Sequence, residues 1–389
     1  AAVATVEAGG RTWLLTAGTA LDGGGPGVTA WAVSSTGGLA AADGVGQGDG
    51  LWIGAPTALA AGEAFGRGYV VLASAASSSL SVIEVGPEGS LRVTDQVLDS
   101  LDTRFAGVTA LETVTAQGQT WVLAGGADDG LSLFRILPGG RLLHAATVAD
   151  DTGMGLADVS AGAARIAGGR LDILAASATE PGLTRLAYDI GGGGRTVTAA
   201  PGGAAVAGTA AGDLLVGAAG ADRLDGGAGD DVLMDGAGAD RLTGGAGADV
   251  FVLTMDGEAD VVADFRLGVD RLDLSNWDGL RNIGQLAMTA TATGLRIAYR
   301  DEVLLVEAGG RLDPARLGPS DLLSLMRVWT EEPNDPGDVV GTEWVQVQAS
   351  GRLVGSVAAH RIEIAYGAKV QARMSIKPPA DTAATPKRA

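Results

Sequence analysis

From Gly208 to Val252 the chain runs in unbroken blocks of nine: GTAAGDLLV, GAAGADRLD, GGAGDDVLM, DGAGADRLT and GGAGADVFV. Asp holds the sixth place every time, as Asp213, Asp222, Asp231, Asp240 and Asp249. A large apolar residue holds the eighth, as Leu215, Leu224, Leu233, Leu242 and Phe251. Gly at places one, two and four lets the backbone take positive φ and turn its carbonyls inward. The eighth residue then points into a narrow core, and the small residues around it permit close stacking. Self-similarity at a fixed period marks stacked repeats in which each unit buries its apolar side against a neighbour.

The block G-G-x-G-x-D-x-U-x resembles the calcium-binding repeat of the RTX family. In that family each nonapeptide is half a turn of a parallel β-roll, so blocks two apart lie side by side. The resemblance therefore brings Asp213 near Asp231 and Asp249, and Asp222 near Asp240. Two carboxylates about 5 Å apart repel by roughly 3 kcal/mol at an effective dielectric near 20. A divalent, oxygen-seeking cation reverses the sign, and carboxylates with carbonyls suit calcium. The chain has no Cys and only two His, so nothing favours zinc.

The resemblance implies three ligand sets. One joins Gly227, Gly229 and Asp231 to Gly244, Ala246 and Asp249. A second joins Ala218, Gly220 and Asp222 to Asp235, Ala237 and Asp240. The third joins Thr209, Ala211 and Asp213 to Gly226, Ala228 and Asp231. Thr209, Ala211 and Ala218 stand where the family has Gly, and Asp235 opens its block in place of Gly. Sites using them are expected to be weaker. The following VFVLTMDGEADVVADFRLGVDRLDLSNW resembles the β-sandwich cap of serralysin-type proteins, in which Asp260 and Asp264 would extend the calcium array. Phe265, Leu272 and Leu274 would close its core. The serralysin protease motif is absent.

A different period, near 51 residues, governs the first half. RTWLLTAG from Arg11, GYVVLASA from Gly68, QTWVLAGG from Gln119 and RLDILAAS from Arg170 read as equivalent strands. Each is followed by a turn and a second apolar segment, and several by a third. APTALAAGEA, GVTALETVTA and DVSAGAARIA supply a strand before three of the units. Four short strands per unit with Gly-rich turns predict propeller-like blades, in layout only. A β-sandwich or β-solenoid is the competing reading. Trp13 and Trp121 share a repeat position that suits blade-to-blade packing, with a sugar-stacking surface as the alternative. His144 reads as structural. Asp99, Asp102, Asp150 and Asp151 gather in loops, as solvated turns or a calcium site at the mouth of the array.

The expected fold is all-β. Residues 1–200 form the propeller-like repeats, 201–325 the β-roll and cap, and 326–389 a small β-strand extension. GGGGRTVTAAPGGAA from Gly191 reads as a linker separating two cores. TEWVQVQASGRLVGSVAAHRIEIAYGAKVQARMSIK reads as three strands and PPADTAATPKRA as a disordered basic end.

Net charge is −19, with +5 concentrated from Arg352 onward. An acidic body disfavours nucleic acid and favours cations. Without Cys there are no disulfides or thiol catalysis, and two His leave little for a triad. No apolar run approaches the 18 or so residues of a membrane span. The start, AAVATVEAGG, has no basic segment or apolar core, so no cleavable signal is expected there. The RTX resemblance implies type I export with an uncleaved C-terminal signal, an extracellular location and calcium as a folding switch. No catalytic residue is assigned. Two functions fit. One is a secreted calcium-binding protein whose first half meets a glycan, protein or cell surface. The other is a lactonase-like propeller hydrolase carrying an RTX module.

Overall fold

The computed structural model describes residues 2–327, except 22–24, 101, 117, 152, 191–193, 281, 319–320 and 323–324. Beyond them it describes 339–340, 344–347, 352–359, 361–364 and 369–376. The chain divides into two compact units, Ala1–Thr330 and Glu331–Ala389.

The first half of the larger unit is a run of antiparallel sheets in chain order. Residues 2–46 form a four-stranded sheet, as do 56–98 and 110–149, while 159–189 form a three-stranded one. The first unit thus also has a leading strand, Ala2–Ala8, and among the described residues the fourth shows three strands. Apolar runs such as GYVVLAS are uninterrupted because the second sheet is covered on both faces. Side chains alternate across a strand. Accordingly Val70 and Leu72 pack with Trp13 and Leu15 of the first sheet, whereas Tyr69 and Val71 pack with Val122 and Phe134 of the third. Leu123 and Leu131 face the fourth sheet through Leu171 and Ile173. That sheet's other side leaves Leu174 45% exposed.

Side chains also staple each sheet to the next at the same repeat positions. Thr57 Oγ1 donates to the Val108 carbonyl at 2.7 Å and Thr109 Oγ1 to the Val159 carbonyl at 3.1 Å. The Leu91 and Leu142 amides donate to Asp43 Oδ2 and Asp95 Oδ2 at 2.7 and 2.8 Å. Trp13 and Trp121 are buried between sheets, as packing requires. His144 is buried too, bonded to Thr147 Oγ1 at 2.7 Å, and burial pushes its pKa down to about 4.

The second half is a parallel β-solenoid. One face stacks Thr196–Thr198, Leu214–Val216, Val232–Met234, Val250–Val252 and Arg271–Asp273. The other stacks Ala205–Ala207, Arg223–Ala228, Arg241–Ala246 and Ala259–Val262. In the cap, Glu302–Glu307 pairs parallel with Ala259–Val262, and two antiparallel strands then prolong the same sheet. Leu215, Leu224, Leu233, Leu242 and Phe251 line one core with Phe265, Leu272, Leu274 and Trp277.

Two expectations change. The segment from Gly191 is not a linker: Thr196–Thr198 and Ala205–Ala207 already form the first coil of the roll. Nor are the two cores separate. Leu137 and Leu143 of the third sheet pack on Leu214, Val232, Val250 and Val252 of the roll. Past the cap, Met326–Arg327 adds a fifth strand to the second sheet beside Leu98 and Val97. The Arg327 guanidinium is 4% exposed, pairs with Asp95, and donates to the Leu142 carbonyl at 2.7 Å and Ser275 Oγ at 3.1 Å.

The smaller unit, by itself, pairs its strands in parallel: Val339–Val340, Arg352–Ala359 and Lys369–Ile376 in one sheet, Trp344–Val347 and Arg361–Ile364 in another. Among the described residues, the segment from Thr342 holds four strands where three were expected. The basic end after Ile376 lies outside the described residues.

Replacing Asp95 by Ala leaves the Arg327 charge buried without its carboxylate, at a cost of about 3–5 kcal/mol. Urea unfolding of the full chain should show that loss. A change below about 1 kcal/mol would mean that the buried pair does not join the halves.

Candidate metal centre

Two columns of carboxylates run along the roll. In the first, the amide of Arg195 donates to Asp213 Oδ1 at 2.5 Å, that of Asp213 to Asp231 Oδ1 at 2.7 Å and that of Asp231 to Asp249 Oδ1 at 3.0 Å. The Asp249 amide continues the series to Asp270 Oδ1 at 3.2 Å. In the second, Ala204, Asp222 and Asp240 amides donate to Oδ1 of Asp222, Asp240 and Asp260 at 2.6, 2.6 and 2.8 Å. Each sixth-place Asp thus reaches back one coil and satisfies a backbone amide there. All seven carboxylates are buried.

The remaining oxygens, Oδ2, differ from block to block, and the difference follows the glycines. In the first two blocks the chain satisfies them itself. The Thr209 amide and Thr209 Oγ1 bond to Asp213 Oδ2, the hydroxyl at 2.8 Å, and the Ala218 amide bonds to Asp222 Oδ2 at 2.8 Å. In the third and fourth blocks, Asp231 Oδ2 and Asp240 Oδ2 are buried with no hydrogen-bond partner among the described residues. Those blocks keep Gly at places two and four, where Gly227, Gly229, Gly236 and Gly238 have φ of 99°, 100°, 99° and 126°. Thr209, Ala211 and Ala218 do not enter the positive-φ region. In the third block place one is tight for a different reason, since a Cβ on Gly226 would lie 2.3 Å from Asp231 Oδ2, whereas the fourth block accommodates Asp235 there. Positive φ, expected at all three glycine places, occurs at only two of them.

Burial without a counter-charge raises these acids. Desolvation lifts Asp231 to about 7 and Asp240 to about 6, and the neighbouring carboxylates push the same way. Asp260 rises to about 8 from the same first cause, and Asp249 to about 6 although Arg266 beside it pulls the other way. A buried unpaired carboxylate is costly, and a cation against its free oxygen removes the cost. Among the described residues no three acidic or His side chains converge on one point. An ion here would be held by two carboxylates and several carbonyls, a hard oxygen set. The carbonyls of Ala218, Ala237 and Ala246 each accept one inter-coil amide at 2.7 Å, which leaves each a second lone pair.

The other expected residues take distinct places. Asp264 sits off the columns and accepts the Gly244 and Gly245 amides at 2.9 and 2.8 Å. Asp235 is buried, accepts the Gly236 and Thr254 amides at 2.7 Å, and is raised to about 7 by desolvation. Asp99, Asp150 and Asp151 cap turns through the Phe105, Leu156 and Gly153 amides. Asp270 was not among the sequence candidates as a column member, because it lies 21 residues after Asp249 rather than 18. Glu302 was missed as well; it is buried and receives the Asp256 and Gly257 amides at 3.0 and 2.9 Å.

A parallel roll with carboxylates in register on both faces is the architecture of an ion-binding repeat protein. The family model for RTX calcium-binding nonapeptide repeats matches residues 207–234 and 225–253, in four copies. Through this segment the chain belongs to the RTX calcium-binding nonapeptide-repeat family. Among solved structures, the R3 subunit of AlgE6, a mannuronan C5-epimerase of Azotobacter vinelandii, is 30% identical. The match covers 31% of this chain and 78% of that one, with a TM-score of 0.22. The periplasmic gluconolactonase PpgL of Pseudomonas aeruginosa is 16% identical over 46% of this chain and 54% of its own, with a TM-score of 0.31. No curated protein matches the chain.

Asp231→Asn and Asp240→Asn should each weaken calcium binding by roughly tenfold or more, at about 1.5–3 kcal/mol per charged contact. Asp213→Asn should cost less, because Thr209 already occupies its second oxygen. Calorimetric titration of the three variants decides this, and equal losses would disconnect the free oxygens from the ion.

The raised acids also set a pH dependence. Their folded-state values of about 6 to 8 lie above the ordinary 3.8. Their contribution to stability is therefore full below about pH 4 and is lost as pH rises through about 6–8. Metal-free protein should melt at progressively lower temperature from pH 5 to pH 8. A flat profile in EDTA would show that the carboxylates are not held as described.

Proposed function

We propose that this is a secreted RTX protein whose roll folds on calcium and thereby fixes a propeller-like array that meets an extracellular partner. The observation that carries this reading is the pair of buried, unpartnered oxygens, Asp231 Oδ2 and Asp240 Oδ2. In a low-calcium compartment the carboxylates repel and the roll stays open. At millimolar external calcium, ion binding becomes folding energy. Type I export suits a chain that must remain unfolded until it leaves the cell. The apolar seam at Leu137 and Leu143 then transmits order from the roll to the sheets. A glycan, a protein or a cell surface fits the array's role as partner.

Hydrogen exchange on the full chain, in millimolar calcium and in EDTA, tests the folding step. Amides from about Gly208 to Thr243 should be protected by calcium and exchange faster in EDTA, and the third sheet should follow in part. Identical exchange in both conditions would sink the calcium reading. A glycan array beside a lactone, ester and glycoside hydrolysis panel, both in calcium, separates a binding protein from an enzyme.

A further inference from the structure

Beyond the last nonapeptide, the first carboxylate column already holds a cation belonging to the chain. Arg266 follows Phe265 in the turn after Ala259–Val262. Its guanidinium donates to the Gly247 carbonyl, lies 3.4 Å from Asp249 Oδ2 and bonds to Asp270 Oδ1 at 2.8 Å. Nε reaches Asp270 Oδ2 at 3.2 Å, and the Arg266 amide reaches the same oxygen at 2.7 Å.

These partners correspond to the groups around the ion position one coil earlier. Gly247 holds the fourth place of its block, Asp249 the sixth, and Asp270 is the next member of the column. Their counterparts are Gly229, Asp231 and Asp249. There, Asp231 Oδ2 has no partner among the described residues; here, the guanidinium sits against the corresponding oxygen of Asp249. Asp249 is 0% exposed and Asp270 1%, so this pair needs a counter-charge as much as the pair before it. A guanidinium never deprotonates at working pH, and its planar fork matches carboxylate and carbonyl oxygens.

We propose that Arg266 is a tethered cation that takes the terminal ion position of this column. The coil from Gly244 to Asp273 therefore closes without calcium, and the exchangeable ion ladder on that face ends between Asp231 and Asp249. This deepens the calcium reading and rests on it for the ion count, but not for the behaviour of the metal-free chain. Because that coil adjoins the cap core through Phe265 and Leu272, it offers earlier coils a formed edge on which to add.

Full-length Arg266→Gln and Arg266→Lys test the assignment, with calcium alone as the probe. In EDTA, the Asp249 and Arg271 amides of the Gln variant should exchange about tenfold faster than wild type, while the Lys variant stays close to wild type. In saturating calcium, the Gln variant should bind one more ion than wild type by equilibrium dialysis and regain protection. Unchanged exchange in EDTA, or an unchanged ion count in the Gln variant of a calcium-binding wild type, overturns the proposal. A Lys variant as loose as the Gln variant overturns the role of charge. A wild type that binds no calcium fails the calcium reading and with it the ion count. The metal-free comparison then still decides whether Arg266 holds the coil.

Discussion

A carboxylate that reaches back one coil to bond a backbone amide is the interaction on which the roll depends. It fixes register, because each coil offers one such amide on each face and Asp213, Asp222, Asp231, Asp240, Asp249, Asp260 and Asp270 each fill one. It also loads the structure with buried negative charge. The strands of three residues on one face of the roll bury too little apolar surface to offset that charge alone. The protein meets the problem in three ways: loop amides and a hydroxyl at Asp213 and Asp222, an arginine at Asp249, and free oxygens suited to an ion at Asp231 and Asp240.

Much of this is written locally and so was legible. The nine-residue period gave the eighth-place core and, through the RTX resemblance it carries, implied the parallel stacking, while the period near 51 pointed to the four-stranded sheets with Trp13 and Trp121 between them. What was not legible lies across long separations or outside the Asp register. Val197 and Val206 keep the nine-residue apolar spacing back from Leu215, yet Arg195 and Ala204 stand where Asp was expected. The first coil therefore read as a linker. Asp270 was hidden by extra residues between coils. Arg327 meets Asp95 across most of the chain, a contact that no local pattern encodes.

The seam between roll and sheets changes how the two halves stand to each other. Leu214, Val232 and Val250 turn away from the roll core and present an outer apolar stripe, which Leu137 and Leu143 cover. Strand alternation makes this possible, since Leu215, Leu233 and Phe251 beside them point inward. The third sheet therefore needs the roll in place to bury its end, and Arg141 reaching Asn276 adds a polar contact at the same border.

Two blocks make one turn, and this limits how such a chain can change length. Adding or removing eighteen residues inserts or deletes a whole coil and leaves every downstream strand on its own face. A single nonapeptide would instead carry the following coils, the cap and Arg266 to the opposite face, away from their partners. Gene-level growth or shrinkage of this roll is thus quantised in pairs of repeats, and a lone extra block would be read by the fold as a frameshift in space.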